Sequence, residues 1–140
     1  MNKTTKLLAL VTVTLVALAQ PVMSQSCLIV APQDYNTGLA AWIRGDHETA
    51  LEYFKPLAKN GHTEAQYNLF AMYNNGKGFS KDNVMAYVWL TIAATNGHKL
   101  ADYLNKKFAT KFLDEAQIKR AHTLVKLCLK KPANCPEYSN

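Results

Sequence analysis

The sequence predicts an all-α chain: a short right-handed α-solenoid of about three helix-turn-helix hairpins. Three observations carry this. Apolar residues recur at helical spacing, and no segment alternates with period two over the length of a strand. Capping residues and glycines stand where helices should start and stop. Above all, the chain resembles itself. A shift of 36 residues puts Ala50 on Ala86, Tyr53 on Trp89, Ala58 on Ala94, Asn60-Gly61-His62 on Asn96-Gly97-His98, Ala65 on Ala101 and Tyr67 on Tyr103. An offset of 31 aligns Ala40, Trp42 and Gly45 with Ala71, Tyr73 and Gly76, the five missing residues matching the longer loop Lys77 to Lys81.

In chain order, residues 1–24 read as an export signal. Lys3 and Lys6 precede thirteen uncharged residues, Leu7 to Ala19, and Val22 and Ser24 supply the small groups a peptidase needs before a cut ahead of Gln25. The apolar run is too short to span a bilayer, which takes about 20 residues, and it ends at Pro21. No later run approaches that length, so the mature chain is not expected to span a membrane. Residues 25–33 are then an N-terminal tail, 34–131 the helical domain and 132–140 a C-terminal tail.

In the first unit, helices are expected near 34–44 and 47–60, with Asp46 as a cap and a kink at Pro56. In the second, Thr63-Glu64-Ala65-Gln66 has a capping-box pattern opening a helix that Gly76 and Gly78 close. Its mate starts near Asp82 and carries Val84, Met85, Val88, Trp89, Ile92 and Ala93 at helical spacing, up to Gly97. The third unit is expected at about 99–110 and from a cap at Asp114 to Lys131, with Ile118, Ala121, Val125 and Cys128 as its apolar stripe.

An exported chain permits a disulfide, and three cysteines allow three pairings. Cys128 with Cys135 is favoured because Pro132 ends the last helix between them and turns the tail back. Cys27 follows the expected cut by two residues. A lipid anchor there would want a Leu-like residue where this chain has Ser24.

These residues resemble the Sel1-like repeats, relatives of the tetratricopeptide repeat. The likeness runs from Ala65-Gln66-Tyr67-Asn68-Leu69 through Met72-Tyr73-Asn74-Asn75-Gly76-Lys77-Gly78 to Lys81-Asp82, then Ala86, Trp89, Ala93-Ala94 and Gly97. Gly45-Asp46, Pro56-Leu57-Ala58 and Asp114-Glu115-Ala116-Gln117-Ile118 resemble exported bacterial members. Phe70 departs from the pattern, standing where the family usually has glycine. It implies a splayed hairpin or a ring that reaches a neighbouring face. The resemblance implies a protein-interaction module that binds a protein or peptide on a concave side lined by the first helix of each unit. If Leu69 and Tyr73 take the buried positions of a tetratricopeptide-like helix, the groove positions are Glu64, Tyr67, Asn74 and Asn75. The two offsets then add Tyr103, Lys107, Lys111, Asn36 and Arg44. Tyr67, Tyr103 and Arg44 are the expected anchors, since tyrosine and arginine most often carry binding energy.

A cysteine-rich branch of these repeats is associated with penicillin binding and β-lactamase activity, which makes a hydrolase the enzymatic alternative. That branch staples each hairpin with cysteines, whereas the first two units here contain no such pairs. Catalytic patterns also fail at named residues. His47-Glu48-Thr49-Ala50-Leu51 has Leu51 where a zinc-protease helix needs its second histidine. Gly78-Phe79-Ser80-Lys81-Asp82 lacks the closing glycine of a nucleophile elbow, and no serine has a lysine three residues on. His62 and His98 stand in equivalent turns with no cluster to complete a metal shell. The chain is therefore expected to be no enzyme and to hold no metal or cofactor. Residues 25–140 carry 14 basic and 10 acidic groups, an excess that does not indicate nucleic acid. The basic residues gather in the last third, at Lys106, Lys107, Lys111, Lys119, Arg120, Lys126, Lys130 and Lys131. That leaves an anionic surface as a second kind of partner.

Overall fold

The computed structural model describes residues 34–132, 135 and 136. The expected signal, the N-terminal tail and Cys27 lie outside these residues. Among the described residues there are six helices: α1 (Tyr35–Arg44), α2 (His47–Lys59), α3 (Thr63–Asn75), α4 (Asn83–Thr95), α5 (Lys99–Phe112) and α6 (Glu115–Lys130).

Each helix starts on a side chain that accepts from an otherwise orphaned N–H. Asp34 caps α1, Asp46 caps α2 through the Thr49 amide at 3.1 Å, and Asp82 caps α4 through Val84 and Met85 at 2.8 and 3.0 Å. Asp114 and Gln117 form a reciprocal capping box at the start of α6. The start of α3 differs from the expected box. His62 is the cap, its Nδ1 accepting from the Ala65 amide at 3.2 Å. The reason lies in the Gln66 side chain, which does not turn back to the helix start. Buried, it donates to the Ala58 carbonyl at 2.9 Å and accepts from the Asn96 side chain at 3.0 Å, tying α2 and α4 to α3. Glycine closes α1 at Gly45 and α3 at Gly76, both with positive φ.

The sequence of α4 explains its place at the centre. Residues 83–95 contain no charged side chain, and a helix apolar on all sides is stable only when surrounded. Accordingly α3, α5 and α6 all pack on α4, and Val84 to Leu90, Ile92 and Ala93 are buried. α1 packs on α2, and α2 on α3, so the first four helices form two stacked hairpins. Small residues set the spacing. A Cβ at Gly38 would lie 2.8 Å from Tyr53 Cβ, which shows how closely α1 approaches α2. Phe70 reaches the neighbouring helix, its ring edge-on to Phe108 of α5 at 5.4 Å.

The third pair is arranged differently. α5 and α6 are joined by Leu113 and Asp114, but α6 lies on α4 and not along α5. Ala121, Val125 and Cys128 form its buried stripe, Ile118 is half-buried beside it, and His122 Nε2 stands 3.4 Å from the Tyr87 hydroxyl of α4. Beyond α6, Cys128 and Cys135 are bonded, their Cα atoms 4.6 Å apart and both side chains buried.

Candidate protein-binding surface

The first helices of the three units, α1, α3 and α5, meet through a repeated aromatic contact. The Tyr35 ring of α1 stacks on His62 at 4.7 Å, and the Tyr67 ring of α3 stacks on His98 at 4.5 Å with only 8° between the planes. Both histidines also cap the next helix, His98 Nδ1 accepting from the Ala101 amide at 3.1 Å. One imidazole therefore caps the start of a helix and packs at a junction between units. The residue types hint at this in the sequence, since each histidine directly precedes a helix, yet histidine is not among the preferred caps.

The nine expected groove residues fall into two regions. Asn36, Glu64, Tyr67 and Tyr103 lie in the first turns of their helices, whereas Arg44, Asn74, Asn75 and Lys111 lie in the last, with Lys107 between. Glu64 and Asn75 are eleven residues apart, about 16 Å along the axis. Asn36, Arg44, Glu64, Asn75, Tyr103, Lys107 and Lys111 are exposed and Asn74 is half-buried. Tyr67 is half-buried against His98 and Phe70, and burial raises its phenol above the ordinary range. It serves packing between units. The Glu64 carboxyl is held below its ordinary range by a hydrogen bond from Thr63, helped by the nearby His62 and His98. Tyr103 and Lys107 form one pair, the ammonium donating to the hydroxyl and lying 4.2 Å over the ring centre.

The interior between α3 and α4 is apolar. Tyr73, Ala86, Trp89 and Ala93 are buried, and burial pushes the Tyr73 phenol far upward while a hydrogen bond with Trp89 pulls the other way. A cleft of about 630 Å³ opens between the α3–α4 loop and α6, walled by residues such as Lys81, Asp82, Met85, Arg120 and Leu124. It contains none of the nine groove residues, and no histidine lines it. Among the described residues, no group of three His, Cys, Asp or Glu side chains could hold a metal ion. His47, the first residue of the incomplete protease pattern, packs its ring on Trp42 at 4.9 Å. Among the described residues, no helix is long and apolar enough to cross a membrane.

The Sel1 repeat model matches residues 24–62 and 63–98, more than half of the chain. The second match ends at Gly97-His98, where the capping histidine begins the divergent third pair. No curated protein and no solved structure matches the chain. Sel1 repeats are helical solenoid units that in general serve protein–protein interaction and are typically non-enzymatic scaffolds. Two matched repeats, folded as two stacked helical hairpins, make this chain a member of the Sel1 repeat family.

Proposed function

We propose that the chain is an exported, non-enzymatic adaptor that holds a protein or peptide along α1, α3 and α5. The observation that carries this reading is the asymmetry of the helices. The interior positions of α3 and α4 are buried, while seven of the nine groove residues remain exposed. Arg44 and Tyr103 are the anchors, with Tyr67 offering one ring edge. The bonded Cys128 and Cys135 support an oxidising compartment, and residues 1–24 serve as the cleaved signal. Crosslinking in the exporting cell followed by partner identification tests the reading. With the partner in hand, Arg44→Ala and Tyr103→Ala should each weaken binding by about tenfold, the size expected of an anchor, without moving the melting temperature. Normal binding by both variants would discard the groove. Intact mass and non-reducing peptide mapping should find an N-terminus at Gln25 and the Cys128–Cys135 bridge. A diacylglycerol on Cys27 would overturn the account of the N-terminus.

A second surface is favoured by one observation. Lys119, Arg120, Lys126, Lys130 and Lys131 are all exposed, and residues 116–131 contain no acidic group. If this strip is the working face, binding to anionic surfaces falls steeply as salt rises.

A further inference from the structure

We infer that the free face of α5 is the docking site for an acidic amphipathic helix of a partner protein, which occupies the place a further repeat helix would take. The inference rests on the protein-binding reading above but not on the groove across α1 and α3.

The repeat provides an internal control. At the junction between the second and third units, Tyr67 of α3 is covered by His98. Tyr103 stands 36 residues later, at the equivalent place on α5, and is 61% exposed. Among the described residues, no residue after α5 covers it as His98 covers Tyr67; its ring meets only Lys107 of its own helix. The end helix of a solenoid should present a polar outer face, and α5 follows this only in part: Lys107 and Lys111 stand where α3 has Ala71 and Asn75, but one exposed position turns apolar. Leu100, 48% exposed, stands on α5 where α3 has Glu64. Leu100, Tyr103, Lys107 and Lys111 are spaced 3, 4 and 4 residues apart, a single stripe about 16 Å long. That length and period suit a helix packed ridge into groove over three turns. The departure of α6 onto α4 is what leaves α5 without a hairpin mate.

Charge selects the occupant. α5 carries Lys99, Lys106, Lys107 and Lys111 against Asp102 alone. A second copy seated by a two-fold contact would set these lysines against themselves. A foreign helix with leucines on one face and glutamates beside them satisfies both the stripe and its flanks.

The test uses the full mature protein and two synthetic helical peptides of about 18 residues, or five turns. Both carry the same leucine stripe, one flanked by glutamate and the other by lysine. The glutamate peptide should shift the backbone amide resonances of residues 100–111 and bind at least tenfold tighter than the lysine peptide. Leu100→Ala with Tyr103→Ala should weaken it at least tenfold. Should that variant fail to fold, Lys107→Glu with Lys111→Glu changes only exposed positions and should reverse the preference between peptides. Equal binding of the two peptides, or shifts centred on α6, would overturn the proposal. Shifts centred on Arg44 and Asn74 would overturn it while leaving the groove reading intact. Self-association abolished by Leu100→Glu would show that the face takes a second copy instead.

Discussion

Trp89 shows how much one side chain can hold. It is 5% exposed, lies between Ala86 and Ala93 on α4, and hydrogen-bonds to the buried Tyr73 hydroxyl. Trp89→Ala leaves a cavity and removes that hydrogen bond, so it should cost about 3–5 kcal/mol. Urea unfolding measures this, and a loss below about 1 kcal/mol would place Trp89 outside the core. The two capping histidines make a subtler case. Because His98 both caps α5 and stacks on Tyr67, His98→Asn should keep the cap and lose the stack, whereas His98→Ala loses both. The alanine variant should be less stable than the asparagine variant by about 1 kcal/mol, the usual worth of a cap. Equal stability of the two would mean that the Nδ1 contact contributes nothing.

At the scale of the element, the fit of α1 on α2 depends on a missing side chain. Glycine inside a helix ordinarily lowers stability by about 0.5–1 kcal/mol relative to alanine, so an exposed Gly→Ala change stabilises. Gly38 faces α2, and a methyl group there would meet Tyr53 Cβ at 2.8 Å and Phe54 Cε1 at 3.0 Å, atoms held by the core. Overpacking costs about 1–3 kcal/mol and outweighs the gain in propensity. Gly38→Ala should therefore lower the thermal midpoint, and a rise in a melting curve would show that α1 can lift from α2. The helix ends are encoded more locally. Asp46 and Asp114 cap the helices expected of them, and Asp82 caps the helix expected to start near it, because a carboxylate one residue ahead of a helix needs no distant partner.

For the whole molecule, the acidic caps link stability to pH. Hydrogen bonds hold Asp34, Asp46 and Glu64 below their ordinary carboxylate range, from Thr37 for Asp34, Thr49 for Asp46 and Thr63 for Glu64. A carboxyl whose folded value is depressed contributes stability above its unfolded value. That contribution is lost as pH falls through the folded one. The urea midpoint should hold near neutrality and decline from about pH 4 downward, the range in which free carboxylates titrate. Asp46→Asn keeps a capping oxygen without a titrating group and should flatten the decline. An unchanged slope would remove Asp46 from the acid response.

What the sequence determined by itself is what depends on near neighbours and on repetition. Six helices and their breaks follow from spacing, glycines and carboxylate caps. The uncharged run in α4 marks the helix that must be surrounded. The pairing of Cys128 with Cys135 was legible because only a proline turn separates them. Three features were decided by tertiary contacts. Gln66 caps nothing because the Ala58 carbonyl and Asn96 claim its amide. Tyr67 and Tyr103 are equivalent in the repeat, yet one is half-buried against the next unit and the other is exposed and meets only Lys107 of its own helix. And α6, whose sequence reads as the mate of α5, lies on α4. Its narrow stripe of Ala121, Val125 and Cys128 finds there the larger apolar surface, and burial of apolar area, not chain order, sets which helices touch.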